Sequence, residues 1–281
     1  MNHELTGAQI SSYREHGFLI IEDFLDKVEL DTWRAVVGDA VSIRDDNRLP
    51  VGSYDISQKA EKETVFRQRI NLWMDHDGVR ALMLDRRLGK MAADLEGVDG
   101  IRIWHDQALI KMPWSNPTAW HQDNPKWSFA SEHATTIWVA LDDVTIQNGC
   151  MFFMPGSHKR RLDDYPADGN HVGALFNAYP DLSGMEPVPV ILPAGGCSFH
   201  NGLMVHAANA NMTPHPRRAF TCAYMPDHSR FNGEPNVLPD RILSSIRVGD
   251  LLEDDDQNPL IHNNDPTRKS LSGSVGTCAD E

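Results

Sequence analysis

Thirteen histidines are spread over the 281 residues, yet only one is followed two positions later by an acid, in His121-Gln122-Asp123. A His-x-Asp pair joined by one distant histidine is the ligand set of the two-histidine, one-carboxylate facial triad, which grips Fe(II) on one face and leaves the other face open. His206, which ends the run Gly202-Leu203-Met204-Val205, is the best distant partner, and His200 is its rival because it also follows an apolar stretch. On an extended segment residues two apart point the same way, so His121 and Asp123 are expected to enter one cavity while Gln122 points elsewhere. A His-x-Asp standing alone is more often a surface hydrogen-bonded pair, so a second feature has to support it. Arg217 is that feature. It lies at the start of the apolar run 219–224, where a buried guanidinium demands an anion. Its planar fork suits a carboxylate, and no nearby acid in the sequence offers itself, which points to a bound dicarboxylate. Alternation sends Arg218 to the opposite face.

Other chemically capable residues have plainer readings. Pro155-Gly156-Ser157-His158 reads as a structural turn after a strand, with the histidine tying down a loop. His105 and Asp106 are adjacent, so a strand aims them at opposite faces and they share no metal. His133, His171, His215, His228 and His262 sit in polar stretches and read as solvated. Trp120, Trp127 and Phe129 flank the metal motif and either wall a substrate or complete the core. Lys111, Lys126 and Arg69 either meet an anionic substrate or are surface charges.

The elements that must position these groups fall into two parts. Thr6 with Gln9 forms a capping-box pattern for a short helix stopped by Gly17, and Phe18-Leu19-Ile20-Ile21 follows as a strand. Asp26 with Glu29 repeats the signal, and Leu30, Trp33, Val36 and Val37 recur at helical spacing to about Ile43. Residues 44–64 lack periodicity and read as a long surface loop that can serve as a lid. Asp77 caps a third helix expected to run to Leu95. From 101 to 225 short apolar runs (108–111, 135–141, 150–154, 188–192, 197–200, 220–225) alternate with Pro, Gly, Asn and Asp clusters, a many-stranded pattern compatible with a jelly roll, and Asn148-Gly149 marks a tight turn between two of them. The expected organisation is one domain over 1–281: a helical support over 1–100 packed on one sheet, a mainly β, cupin-like double-stranded β-helix over 101–226 interrupted by an insertion at 159–187 that covers the site, and a loose tail over 252–281.

Composition narrows the function. With 41% hydrophobic and 23% charged residues the chain can bury a sizeable core, and a formal charge of −14 without a basic run argues against nucleic-acid binding. No apolar run approaches the roughly 18 residues of a membrane span, and the start has no basic, apolar leader pattern, so a soluble, cytoplasmic protein is expected. Cys150, Cys197, Cys222 and Cys278 form no Cys-x-x-Cys pair and read as reduced structural thiols.

Taken in order, Glu15-His16-Gly17-Phe18, His121-Gln122-Asp123, Trp138, Asn148-Gly149-Cys150 leading into Pro155-Gly156-Ser157-His158, and His206 through Asn211 to Arg217 carry a resemblance. From about Ile10 to Met225 the chain resembles the phytanoyl-CoA dioxygenase-like family of Fe(II)/2-oxoglutarate-dependent oxygenases. That resemblance implies that His121, Asp123 and His206 bind iron, that Arg217 holds the distal carboxylate of 2-oxoglutarate, and that Trp138 and Gln122 line the cosubstrate site. It places a basic residue toward the active site near Arg69. It implies an enzyme that consumes O2, hydroxylates a C–H bond of a small organic substrate and releases succinate and CO2. Because Asp123 is retained, halogenation is disfavoured. One departure is Ala208, where the family commonly has a serine. The alternative is a metal-binding cupin-type protein, either a non-redox enzyme or a small-molecule binder. Such a protein has no need of Arg217. Substrate identity and oligomeric state have no signal in the sequence.

Overall fold

Both capping boxes form. In the computed structural model, which describes residues 1–46, 65–163 and 171–265, the Thr6 side chain accepts from Gln9 N while the Gln9 side chain accepts from Thr6 N. Helix α1 (Gly7–His16) therefore starts cleanly, and it stops at Gly17, whose φ of 85° closes it in the left-handed region. Strand β1 (Phe18–Ile21) follows, and Asp26 and Glu29 then exchange side-chain to backbone bonds that start α2 (Lys27–Asp46). The lid expected at 44–64 begins inside α2 and otherwise lies outside the described residues.

Beyond it come β2 (Arg67–Ile70), α3 (Asp77–Met83) and α4 (Arg86–Glu96). The single helix expected over 77–95 is thus two. Asp85 accepts from Arg87 N and starts α4, while His76, not Asp77, caps α3. The remaining elements are β3 (Gly100–Lys111), β4 (Thr118–His121), β5 (Thr135–Ala140), β6 (Met151–Phe153), α5 (Ala174–Ala178), β7 (Val188–Val190), β8 (Cys197–Asn201), β9 (His206–Ala208), β10 (Arg217–Pro226), α6 (Asp240–Leu243) and β11 (Leu260–Asn263).

All strand pairs are antiparallel and build two sheets. The larger has seven strands in the order β1-β8-β5-β10-β3, with β11 and β2 both on the outer edge of β3, β11 against residues 100–102 and β2 against 107–110. The smaller runs β4-β9-β6-β7. The sheets face one another as a jelly roll. Strand alternation divides each residue set in two. On one side Ile137, Val139, Phe199, Phe220, Cys222 and Tyr224 pack with Trp33, Val37, Leu88 and Met91 of the helices. On the other, Trp138, Ala140 and Ala219 meet Met151, Phe153 and Val190 of the smaller sheet. Full burial of such aliphatic and aromatic side chains contributes roughly 1.5–3 kcal/mol each, which is what fixes the strand parity.

A register shift between Ala223 and Tyr224 skips Trp104 opposite, so β3 bulges there. Ile101 and Ile103 face the helices before it, and Ala108 does so after it, so the parity inverts. His105, Gln107, Leu109 and Lys111 consequently face the space between the sheets.

The expected loose tail is packed over its first part. Leu252, Leu260 and Ile261 are buried, and β11 bonds to β3, because the bulged strand leaves an edge that β11 covers. The insertion is ordered where described: Leu162, Leu175 and Leu182 bury against Met154 and Val205. Among the described residues no helix is long and apolar enough to cross a membrane.

Candidate active site

The smaller sheet supplies two imidazoles. His121, the last residue of β4, lies directly opposite His206, the first residue of β9, with ring centroids 4.2 Å apart. Each ring is oriented from behind: His121 Nδ1 donates to Ala119 O at 2.8 Å, and His206 Nδ1 to Met204 O at 3.0 Å. A carbonyl can only accept, so in the neutral form of each ring the lone pair lies on Nε2, the nitrogen that faces Asp123. Asp123 is not on extended backbone as the spacing suggests; the chain turns helical there (φ −78°, ψ −51°), and Asn124 N bonds to Gly202 O. The turn still brings its carboxylate to the same point. Oδ1 stands 3.4 Å from His121 Nε2 and 3.9 Å from His206 Nε2, and the three donor atoms lie within 4.8 Å of one another. Donors around one ion at about 2.1 Å stand about 3–4 Å apart, so the trio suits a single transition-metal ion.

Electrostatics agree. Burial alone would raise the Asp123 carboxyl, but the imidazoles of His206, His121 and His200 outweigh it and hold it well below the usual carboxylate range. Burial, and then the charge of His121, push His206 down to about 3, so that ring is neutral and free to coordinate. Burial also lowers His121, yet Asp123 more than reverses it and leaves that ring above its ordinary value.

The larger sheet supplies the opposite wall. Arg217 is 4% exposed, its Nε and Nη1 have no hydrogen-bond partner, and its guanidinium lies 4.9 Å over the Trp138 ring. Arg218 turns outward and pairs with Asp142, as alternation requires. Across the β10–β3 ladder Arg217 faces Lys111, which is 1% exposed and donates to Asn116 O at 3.0 Å. Burial pulls Arg217 down to about 10 and, with Arg217 beside it, pulls Lys111 down to about 7. Among the described residues neither cation is paired with a carboxylate, an arrangement whose charge suits an anion.

His121, Asp123, His206, Arg217, Trp138 and Lys111 share one cavity of about 290 Å³ between the sheets. Its remaining wall holds His105, Gln107, Gln68, Lys126, Trp127, Thr136 and His200. Gln68 donates to Gln107, and Gln107 reaches His105 Nδ1 at 3.2 Å, so these form a polar strip. Burial lowers His105 to about 4 and keeps it neutral.

One expectation changes. Arg69 does not line the cavity: Nε and Nη2 bind Asp45, and Nη1 donates to Gln68 O. In β2 the even-numbered residues Gln68 and Ile70 face inward, so the odd ones cannot. Gln122 borders the cavity, but its amide is spent on fastening the 160–162 segment, donating to Arg160 O and Leu203 O and accepting from Leu162 N. His158 ties down a loop as expected, through Arg14 O. Of the flanking aromatics, Trp127 walls the cavity, Phe129 packs against it, and Trp120 stacks on Phe176. Ala208 pairs with Thr118, whose side chain lines the same cavity beside it. Nothing in the spacing of Gln107 and His105 reveals the bulge that turns them inward, and nothing in that of Gln68 reveals its register against Leu109.

The chain has relatives among known proteins. Residues 13–219 match the family model for phytanoyl-CoA dioxygenase (PhyH). A methylphosphonate hydroxylase from Gimesia maris (strain ATCC 29201 / DSM 8797 / 534-30) is 27% identical over 224 residues, covering 80% of this chain and 82% of that protein. Among solved structures, the non-heme alpha ketoglutarate dependent carbocyclase SnoK from nogalamycin biosynthesis superposes with a TM-score of 0.73 at 28% identity, covering 92% of this chain and 96% of its own. The epimerase SnoN, solved in complex with Fe3+, alpha ketoglutarate and nogalamycin RO, gives 0.71 at 26% identity, covering 91% and 98%. Two imidazoles and one carboxylate oxygen on a single side of the cavity form a donor set that suits such an iron, and the guanidinium of Arg217 lines the same cavity. The chain belongs to the phytanoyl-CoA dioxygenase family and is an iron- and 2-oxoglutarate-dependent oxygenase.

Proposed function

We propose that the chain hydroxylates a C–H bond of a compact, polar small molecule, consuming O2 and 2-oxoglutarate and releasing the alcohol, succinate and CO2. The observation that carries this is one cavity holding both the His121, Asp123 and His206 donor trio and the unpartnered guanidinium of Arg217. His121, Asp123 and His206 hold iron, which when bound supplies the activation of O2 and the decarboxylation of the 2-oxo acid. Arg217 forks onto the distal carboxylate, Trp138 supports the guanidinium from beneath, and Lys111 adds a second positive charge. Trp127 and the neutral His105 exclude water from the substrate side, and Gln68 with Gln107 offers hydrogen bonds that orient a polar substrate. The Gimesia maris relative named a hydroxylase supports this outcome.

The test incubates purified protein with Fe(II), 2-oxoglutarate, O2 and a panel of small polar metabolites, scoring succinate above the substrate-free background and the mass of the product. A product that gains one oxygen atom is expected. A product that loses two hydrogens or keeps its composition overturns hydroxylation, since SnoK and SnoN are a carbocyclase and an epimerase on a similar fold.

A further inference from the structure

We infer that His200 is a positioning residue that holds the Asp123 carboxylate so that only one of its oxygens faces the metal. The inference rests on the assignment of His121, Asp123 and His206 as iron ligands.

The two oxygens of Asp123 have different neighbours. Oδ1 is approached by His121 Nε2 at 3.4 Å and His206 Nε2 at 3.9 Å, whereas Oδ2 stands 3.5 Å from His200 Nε2. A carboxylate can meet a metal through one oxygen or both, and it swings freely about its last bond unless something grips it. A donor on Oδ2 removes both freedoms. It leaves Oδ1 as the ligand atom and preserves three open positions on the ion, which the cosubstrate and O2 require.

His200 is built for that contact. It is 2% exposed, and neither ring nitrogen has a hydrogen-bond partner, which is costly for a buried imidazole. The ring is wedged between Phe153, 5.2 Å away, and the His206 ring, 4.9 Å away. N–H···O bonds extend to about 3.2 Å, so a slight turn of the carboxylate closes the gap. Across the β5–β8 ladder His200 pairs with Thr136, whose hydroxyl is also buried without a partner. Donation to Oδ2 needs the proton on Nε2, the ring nitrogen that faces it. The ring sits on the Oδ2 side, away from the oxygen the other two histidines share, which suits an orienting donor and not a fourth ligand.

The experiment compares His200→Phe, which keeps aromatic volume beside Phe153 but has no donor, with His200→Gln, which keeps an N–H. Asp123→Ala runs in parallel. The readouts are Mn(II) affinity by anaerobic titration, with Mn(II) as a redox-inert stand-in, and the melting temperature without metal. His200→Phe is expected to bind Mn(II) about 10–100-fold more weakly with no loss of melting temperature, His200→Gln to recover most of the affinity, and Asp123→Ala to bind none. If His200→Phe binds as wild type while Asp123→Ala does not, the positioning role is overturned and the ligand assignment stands. Wild-type binding by all three overturns the assignment itself. Should the phenylalanine variant not fold, His200→Ala replaces it, and equal affinities for His200→Ala and His200→Gln overturn the proposal.

Discussion

Strands β5 and β8 carry a buried polar cluster on each face, and the two clusters differ in one respect. On the helix side, the Tyr13 hydroxyl bonds to Glu96 and, at 2.7 Å, to Thr135. Thr135 donates to His200 O at 3.1 Å, and Asn201 Nδ2 reaches Glu96 at 3.1 Å and Glu132 O at 2.8 Å. Every group there is engaged. On the cavity side, one residue along in each strand, Thr136 and His200 are equally buried, and there the Thr136 hydroxyl and both His200 ring nitrogens lack partners, as do Ser198 Oγ and two nitrogens of Arg217. Folding does not leave buried polar atoms unpaired without cause. The satisfied cluster ties the helices to the sheet, and the unpaired groups of Thr136, His200 and Arg217 line the cavity, where a ligand can complete their bonding.

Substitutions can break that distinction. The largest effect is expected from Asp123→Ala, which should reduce iron-dependent succinate formation to background while the melting temperature of the metal-free protein stays within a few degrees. On the other face, Glu96→Ala removes one partner each from the Tyr13 hydroxyl and the Asn201 amide and should cost roughly 1–3 kcal/mol in urea unfolding, with no change in the KM for 2-oxoglutarate. Arg217→Ala should do the reverse. Charge-assisted bonds worth about 1.5–3 kcal/mol correspond to a KM for 2-oxoglutarate raised roughly 10–100-fold, and stability should not fall, because the lost group was an unpaired buried charge.

A smaller effect concerns pH. Burial and Arg217 hold the Lys111 ammonium at about 7, and an anion seated between the two cations favours its charged form. Binding 2-oxoglutarate then takes up a proton, so affinity is highest below about pH 7 and declines as pH rises through it. Anaerobic titrations across that range should show the decline, and Lys111→Met should flatten it. Smallest is Thr136→Val, which removes an orphaned hydroxyl and should change ligand-free stability by less than about 1 kcal/mol, upward if at all. A loss of several kcal/mol there would erase the contrast between the faces.

Much of this was legible before any coordinates. The uniqueness of His121-Gln122-Asp123 and the isolation of Arg217 identified both ends of the cavity, and capping boxes at Thr6 and Asp26 located two helices because they are local chemistry. What escaped was set by long-range pairing. Arg69 was one residue off because the parity of β2 follows its register on β3, which spacing does not encode. The inward turn of His105, Gln107 and Lys111 depends on a bulge at Trp104 that forms only against β10. The first part of the tail was missed because a four-residue strand such as β11 has little signal until an edge exists to receive it. Gln122 borders the cavity as the resemblance implies, but its fastening of the 160–162 segment is not legible, because those partners lie far along the chain.

Strand β2 divides its labour within four residues. Arg67 and Arg69 are moored to Asp45 near the end of α2, while Gln68 and Ile70 form part of the cavity wall. Among the described residues the strand pairs only with β3, and it contributes neither a donor to the trio nor a charge to the cavity. Exchanging Gln68 should therefore change the polar wall of the cavity while the donor trio stays in place. Diversification of substrate on this scaffold has a natural point of leverage there, at a rim position whose mooring residues keep the backbone in place while its inward neighbour varies.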